Sequence, residues 1–213
     1  GIIQGRKTFG NTMKYILMCL SSNFGNMISA SVSSIFLPFL PMLPIQLLLN
    51  NLLYDISQTT LPTDNVDEEY IKTPKKMDVG FIRSFMIPFG LVSSLFDFIT
   101  FAVLIWWFGA WTHNQWLFQT GRFVQSFLTQ TLIVFIIRTR RARRNSKPGK
   151  YVLMSILWMI GLVILLPFTP IAPFFHSVWL PPLYFVYLAI CVVCYLIATE
   201  WIKTWFYKRH INA

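Results

Sequence analysis

The sequence predicts an all-α membrane protein: a bundle of six transmembrane helices with both termini cytosolic. Three observations predict it. Charged residues make up only 12% of the chain while 55% is hydrophobic, against about 25% charged in a typical soluble domain. Six apolar stretches approach the ~20 residues that a helix needs to cross a ~30 Å hydrocarbon core. The connections between them split by charge, basic ones alternating with uncharged ones, as in a chain threaded back and forth through a bilayer.

The spans are predicted at roughly 13–37, 44–61, 81–110, 121–138, 151–167 and 180–203. Helices are expected because unpaired backbone groups are intolerable in lipid. The second span is the shortest and most polar, ending in Ser57-Gln58-Thr59-Thr60. Connections 38–43, 111–120 and 168–179 carry no Lys, Arg, Asp or Glu. The opposite side holds Arg6, Lys7 and Lys14, the mixed loop 62–80, and the cluster Arg138, Arg140, Arg141, Arg143, Arg144, Lys147 and Lys150. The tail adds Lys203, Lys208 and Arg209. Basic residues mark the cytosolic side, so the termini and both long loops are placed there, which requires an even number of spans.

The formal net charge of +10 does not point to nucleic acid. Nucleic-acid binding needs a clustered basic face with groups that stack on or read bases, and here the aromatics sit within apolar runs. The 138–150 cluster reads as a topological signal that could also meet anionic lipid. Trp106, Trp107, Trp111 and Trp116, and at the other side Trp201, Trp205 and Tyr207, read as interfacial belts. Cys19, Cys191 and Cys194 lie in apolar stretches and read as buried, inert thiols. His113, His176 and His210 fall in loops or the tail and read as solvated, and Glu200 lies near a cytosolic end where it can reach water. The chain opens on Gly1-Ile2-Ile3 with no start Met and is expected to be part of something longer.

Polar groups inside spans are costly and need a reason. The two densest polar stretches are Ser21-Ser22-Asn23-Phe24-Gly25-Asn26 in the first span and Asn50-Asn51-Leu52-Leu53-Tyr54-Asp55 in the second. Asn23 shares a helix face with Asn26, and Asn51 with Asp55. At 1.5 Å per residue from Met13, Asn23 lies about 15 Å deep and Asn26 about 20 Å. Counted from Ile45 on the other side, Asn51 lies about 9 Å deep and Asp55 about 15 Å. Two adjacent antiparallel helices would then bring amide and carboxylate oxygens together near the midplane, the usual address of a transporter's ion site. The amides alone could equally be polar glue between helices. The carboxylate at the same level favours a cation site. The ligand set is all oxygen and suits a hard cation such as magnesium or calcium, without selecting one. Asp97 in the third span could join the ion path or stay neutral, bonded to neighbouring Ser groups. Gln125 and Gln130 lie in the fourth span, where Gln130 could pair helices.

The chain has no phosphate-cradling G-x-x-x-x-G-K-[ST] loop and no hydrolase or zinc-protease motif. No catalytic residue is assigned, and any energy source must lie outside these residues.

Several stretches resemble a known family. Gly5-Arg6-Lys7-Thr8-Phe9-Gly10-Asn11 with Lys14-Tyr15 is similar to the stalk joining the phosphorylation domain of P-type ATPases to their fifth membrane helix. Residues 21–26 match that helix's ion-binding stretch. Leu37-Pro38 through Pro44, Gln46-Leu47-Leu48 and Asn51 to Asp55 match the next loop and sixth helix. Gln130-Thr131-Leu132 leading to Arg138-Thr139-Arg140-Arg141 resembles the end of the eighth. Asn-Leu-Leu-Tyr-Asp-Ile-Ser-Gln and Asp64-Asn65-Val66-Asp67 look most like the bacterial magnesium-transporting branch.

The resemblance implies one C-terminal membrane domain over residues 1–213, with 1–12 as the stalk, in the bacterial inner membrane. It implies magnesium as the transported ion, imported at the expense of ATP bound by domains not present here, and partners in those domains and in the first four membrane helices. Position by position it implies Asn23, Asn26, Asn51 and Asp55 as metal ligands, with Gln130 where relatives place an eighth-helix ligand. Asn26 stands where calcium pumps carry an acid and Tyr54 where they carry a small hydroxyl residue, which implies fewer ions per cycle and weakens a calcium reading. A stand-alone proton-coupled cation carrier would show inverted-repeat symmetry, which the sequence lacks. A purely structural membrane module is the third reading.

Overall fold

A computed structural model describes residues 1–67, 72, 76–111, 114–139 and 148–211. Among them the regular structure is helical throughout, and each predicted span coincides with a helix. Helix α1 is Ile2–Phe36, α2 is Pro44–Gln58, α3 is Val79–Trp106, α4 is Gln115–Leu132, α5 is the single turn Val134–Ile137, α6 is Lys150–Leu165 and α7 is Pro182–Ile211.

α1 runs unbroken for 35 residues, a rod of about 52 Å that exceeds the ~30 Å hydrocarbon layer. Proline is absent until Pro38, and that residue ends the helix. Leu37, immediately before it, is extended at φ −87° and ψ 130°, because the pyrrolidine ring disfavours the helical region for its predecessor. The chain turns and α2 starts with Pro44 at its first position, where a missing N–H costs nothing. Gln46 then accepts from the Leu43 N–H at 3.3 Å and donates to the Phe175 carbonyl at 3.0 Å, anchoring this end of α2. Asp78 caps α3, accepting from the N–H groups of Gly80 at 2.8 Å and Phe81 at 3.2 Å.

Four segments are long and apolar enough to cross a bilayer: Val79–Trp106, Gln115–Ile137, Lys150–Phe168 and Pro182–Arg209. α2 is too short by that measure, with 15 residues, and α1 carries the polar run 21–26. The fourth helix begins at Gln115, well inside the stretch predicted as a loop.

α4 is the centre of the bundle. Every residue from Leu117 to Thr131 is buried, and α2, α3, α6 and α7 all pack on it. This explains its polarity: Gln119, Thr120, Arg122, Gln125, Ser126, Thr129, Gln130 and Thr131 face other helices rather than lipid. α6 and α7 are the reverse, with Trp158, Ile190, Ile197 and Trp201 exposed to the bilayer. Trp106 and Trp107 are also exposed, as expected of a belt, whereas Tyr207 is buried against Phe206 and Phe81 instead of facing the interface.

The tightest packing joins α1 to α3. Ser21, Gly25, Ser29 and Ser33 recur every fourth residue on α1, and all are buried. They meet Gly90, Ser93 and Ser94 of α3. A Cβ on Gly25 would lie 2.8 Å from Ser93 Cβ and 2.9 Å from the Gly90 carbonyl oxygen. Ser94 donates to the Gly25 carbonyl at 3.1 Å across this seam. Small residues are what allow such close approach in lipid, where dispersion contacts replace the hydrophobic effect. Gly25→Leu is expected to force the helices apart, at about 1–3 kcal/mol for overpacking. A lower melting temperature of the detergent-solubilised protein would show it; an unchanged value would mean the seam yields elsewhere.

Candidate functional site

Three polar groupings lie along the bundle. The innermost is built on α4, where Arg122, Ser126 and Gln130 follow one another at four-residue spacing and so share a face. Arg122 is 3% exposed and Asp97 of α3 is 1% exposed. Their side chains form an ion pair, Arg122 Nη2 to Asp97 Oδ2, at 2.7 Å. Arg122 Nη1 donates to Gln125 Oε1 at 2.8 Å, and Gln125 Nε2 donates to Asp97 Oδ1 at 3.3 Å. Nη2 also donates to Asn26 Oδ1 at 3.2 Å and Ser29 Oγ at 3.3 Å on α1. Asp97 is therefore held by a guanidinium and an amide rather than by serines alone. Its principal partner is the Arg122 guanidinium.

The same network reaches the expected ligands. Asn26 Oδ1 also accepts from Ser126 Oγ at 3.4 Å. Gln130 Oε1 accepts from Asn26 Nδ2 at 3.5 Å and from Asn50 Nδ2 at 2.9 Å. Asn50, not Asn51, is the α2 amide that turns inward: it is 1% exposed, and its Oδ1 has no hydrogen-bond partner. Ser22 Oγ and Tyr54 Oη are likewise buried without one. Asn51 is half-buried.

The second grouping is an open face. Tyr15, Cys19 and Asn23 are spaced by one turn each along α1, and Asn23 Nδ2 donates to Cys19 Sγ at 3.4 Å. Asp55 of α2 is exposed, and its Oδ1 accepts from the Tyr15 hydroxyl at 3.4 Å. The level of Asp55 on α1 is thus that of Tyr15, two turns before Asn23. Equal depth of Asp55 and Asn23 would require α1 and α2 to lie side by side. α2 instead packs on α4 and α6, so the two polar stretches are bridged by Gln130 and offset from each other.

The third grouping closes the charged end of the bundle around Asp64, just beyond α2. Asp64 is 6% exposed. It accepts from Lys14 Nζ at 2.7 Å, from Arg138 Nη1 at 2.8 and 2.9 Å, and from the Gly149 N–H at 2.9 Å. Asn11 Nδ2 donates to the Asp64 carbonyl at 3.2 Å and to that of Pro62 at 3.0 Å. One side chain therefore joins α1, the turn after α2, the chain following α5 and the start of α6. Burial by itself would raise the carboxyl's pKa, but Lys14, the Gly149 N–H and Arg138 outweigh it and hold it below the ordinary carboxylate range. Arg138 is consequently not a lipid-facing residue; residues 140–147 of that cluster lie outside those described.

The expectation of buried thiols is corrected in part. Cys191 is buried, but Cys19 is half-buried and Cys194 exposed; all three are free. Glu200 is half-buried and pairs with Lys203 at 2.9 Å. His176 is exposed in a left-handed turn at φ 50°; His113 and the His210 side chain lie outside the described residues. Sequence reasoning missed Arg122 and Asn50. A charged residue inside a membrane span was the available signal for the first, since such a residue nearly always has a function or a partner. Among the described residues no three His, Cys, Asp or Glu side chains converge, so a cation here would be held by amide, hydroxyl and carbonyl oxygens with few carboxylates.

A polytopic helical bundle with its charged and amide side chains turned inward is the architecture of a membrane ion-translocating domain. The chain belongs to the family described as "Cation transporting ATPase, C-terminus", whose model matches residues 39–205. It is 46% identical over 212 residues to "Magnesium-transporting ATPase, P-type 1" of Salmonella typhimurium strain 14028s, covering 99% of this chain and 24% of that protein. The Escherichia coli K12 protein of the same name is also 46% identical over 212 residues. A second protein of that name, from Salmonella typhimurium strain LT2, is 41% identical over 211 residues. The chain thus spans about a quarter of the length of the curated relatives it matches.

Proposed function

We propose that this chain is the ion-carrying membrane domain of a bacterial magnesium-importing P-type ATPase, acting in the inner membrane. The observation that carries this reading is the family match together with a polar core that two oxygen-bearing helices, α1 and α2, share through Gln130. The transported magnesium ion is substrate. Asn23, Asn51 and Asp55 supply oxygens at the open face, while Asn26, Asn50 and Gln130 form the inner wall. Magnesium keeps several of its waters and needs only one or two carboxylates, which suits a site with Asp55 as its one available acid.

The open face of Tyr15, Cys19, Asn23 and Asp55 is covered in this reading by membrane helices from the remaining three-quarters of the protein. ATP is bound and hydrolysed in those parts. Both termini and the Asp64 grouping face the cytosol, where α1 continues toward the phosphorylation domain. Anionic lipid could contact residues 140–150.

The test is uptake. The full-length protein carrying this chain is expected to restore growth at low magnesium to cells stripped of their own magnesium importers. Failure to do so, with the protein inserted in the membrane, would remove magnesium import as its function.

A further inference from the structure

Arg122 sits in a shell made entirely of oxygen. Asp97 Oδ2 at 2.7 Å, Gln125 Oε1 at 2.8 Å, Asn26 Oδ1 at 3.2 Å and Ser29 Oγ at 3.3 Å surround its guanidinium, contributed by α3, α4 and α1. The ring of Phe101 closes one side, with the guanidinium carbon 5.5 Å from its centroid. A carboxylate with amide and hydroxyl oxygens on three helices is the donor set that hard cations take. Here the place is filled by a cation covalently tied to the protein.

We propose that Arg122 is a resident cation occupying a second ion seat, so that the domain carries one exchangeable cation and not two. The inference rests on the reading of Asp55 as part of the exchangeable seat. The guanidinium is tied to α4, the most enclosed element of the bundle. The tethered charge neutralises Asp97, the one carboxylate within the polar core. It also orients the neighbouring seat: by holding Asn26 Oδ1, Arg122 turns Asn26 Nδ2 toward Gln130. Asn50 meets the same Gln130 oxygen through its own Nδ2, leaving Asn50 Oδ1 as a buried oxygen still open, as are Ser22 Oγ and Tyr54 Oη. Arg122 is thus a specificity-determining residue that sets how many ions fit and where.

The experiment counts cations on the full-length protein in lipid nanodiscs, by equilibrium dialysis against magnesium and, separately, against radioactive sodium, without nucleotide. Wild type is expected to bind one magnesium more than Asp55→Asn. Arg122→Gln is expected to gain one further cation, magnesium or sodium, because Asp97 is left with a vacant oxygen shell. Arg122→Lys, which keeps the charge, and the neutral pair Arg122→Gln with Asp97→Asn should both return to the wild-type count. No gain of either ion in folded Arg122→Gln overturns the proposal. Should that variant not fold, the neutral pair decides: retention of the Asp55-dependent ion supports a separate resident cation, and its loss shows that Arg122 and Asp97 belong to the exchangeable seat. Equal counts for wild type and Asp55→Asn would instead sink the Asp55 reading, whatever the Arg122 variants do.

Discussion

Asp64→Ala is expected to be the most destabilising single substitution in this chain. It removes a carboxylate that accepts from both Lys14 and Arg138 in a buried place. Breaking a buried ion pair from one side costs about 3–5 kcal/mol, because the remaining charge loses much of what offsets its desolvation. The Gly149 N–H and the start of α6 lose their anchor as well. The measurement is thermal unfolding in detergent, backed by protease sensitivity near residues 62–67. The same residue sets an acid limit. Its pKa is depressed in the folded state, so its stabilising contribution is complete above the unfolded value of about 3.9 and is lost as pH falls through the lower, folded one. Wild type should therefore lose this stability only below about pH 4, whereas Asp64→Asn should be weaker at neutral pH and less sensitive to acid. A wild-type-like melting temperature for Asp64→Ala would show that the grouping is incidental.

Asp55→Asn should have the largest effect on transport with the least effect on folding. The side chain is exposed, and it accepts from the Tyr15 hydroxyl at a long 3.4 Å, so little packing depends on it. Replacing a charged partner by a neutral one removes about 1.5–3 kcal/mol, or roughly 10- to 150-fold in affinity. Magnesium uptake by the full-length variant is expected to fall by at least that factor while membrane insertion and melting temperature hold. Uptake at the wild-type rate would remove Asp55 from the ion path. Tyr15→Phe provides a graded comparison, because it deletes one hydrogen bond and leaves the carboxylate in place.

The helices were legible because lipid imposes simple rules. Apolar length placed the four segments that are long enough to cross a bilayer, and Pro38 and Pro44 marked the first turn where the chain makes it. The polar stretches of α1 and α2 were also evident, since amides and acids are conspicuous among Leu, Ile and Phe. Their register was not. Depth counting treats helices as upright neighbours, and α2 leans on α4 and α6 instead, so Asp55 meets Tyr15 and the inward amide is Asn50, adjacent to the predicted Asn51. Lys14 and Arg138 were read by sign alone, as markers of sidedness. Their partner, Asp64, lies 50 and 74 residues away in sequence, and no periodicity signals a contact of that range. Arg122 escaped because a charge inside a span acquires meaning only once its counterpart on another helix is known.

The enclosed position of α4 has a consequence for biogenesis. Standing alone in lipid, a helix with an arginine near its middle pays about 2.5–3.5 kcal/mol at the translocon, and α4 also carries Gln119, Gln125 and Gln130. Asp97 on α3 carries a similar penalty. Released together, the two segments cancel each other's penalty through a pairing only 25 residues apart. The hairpin of α3 and α4 is therefore expected to leave the translocon as a unit, with the arginine already matched before the later helices are synthesised.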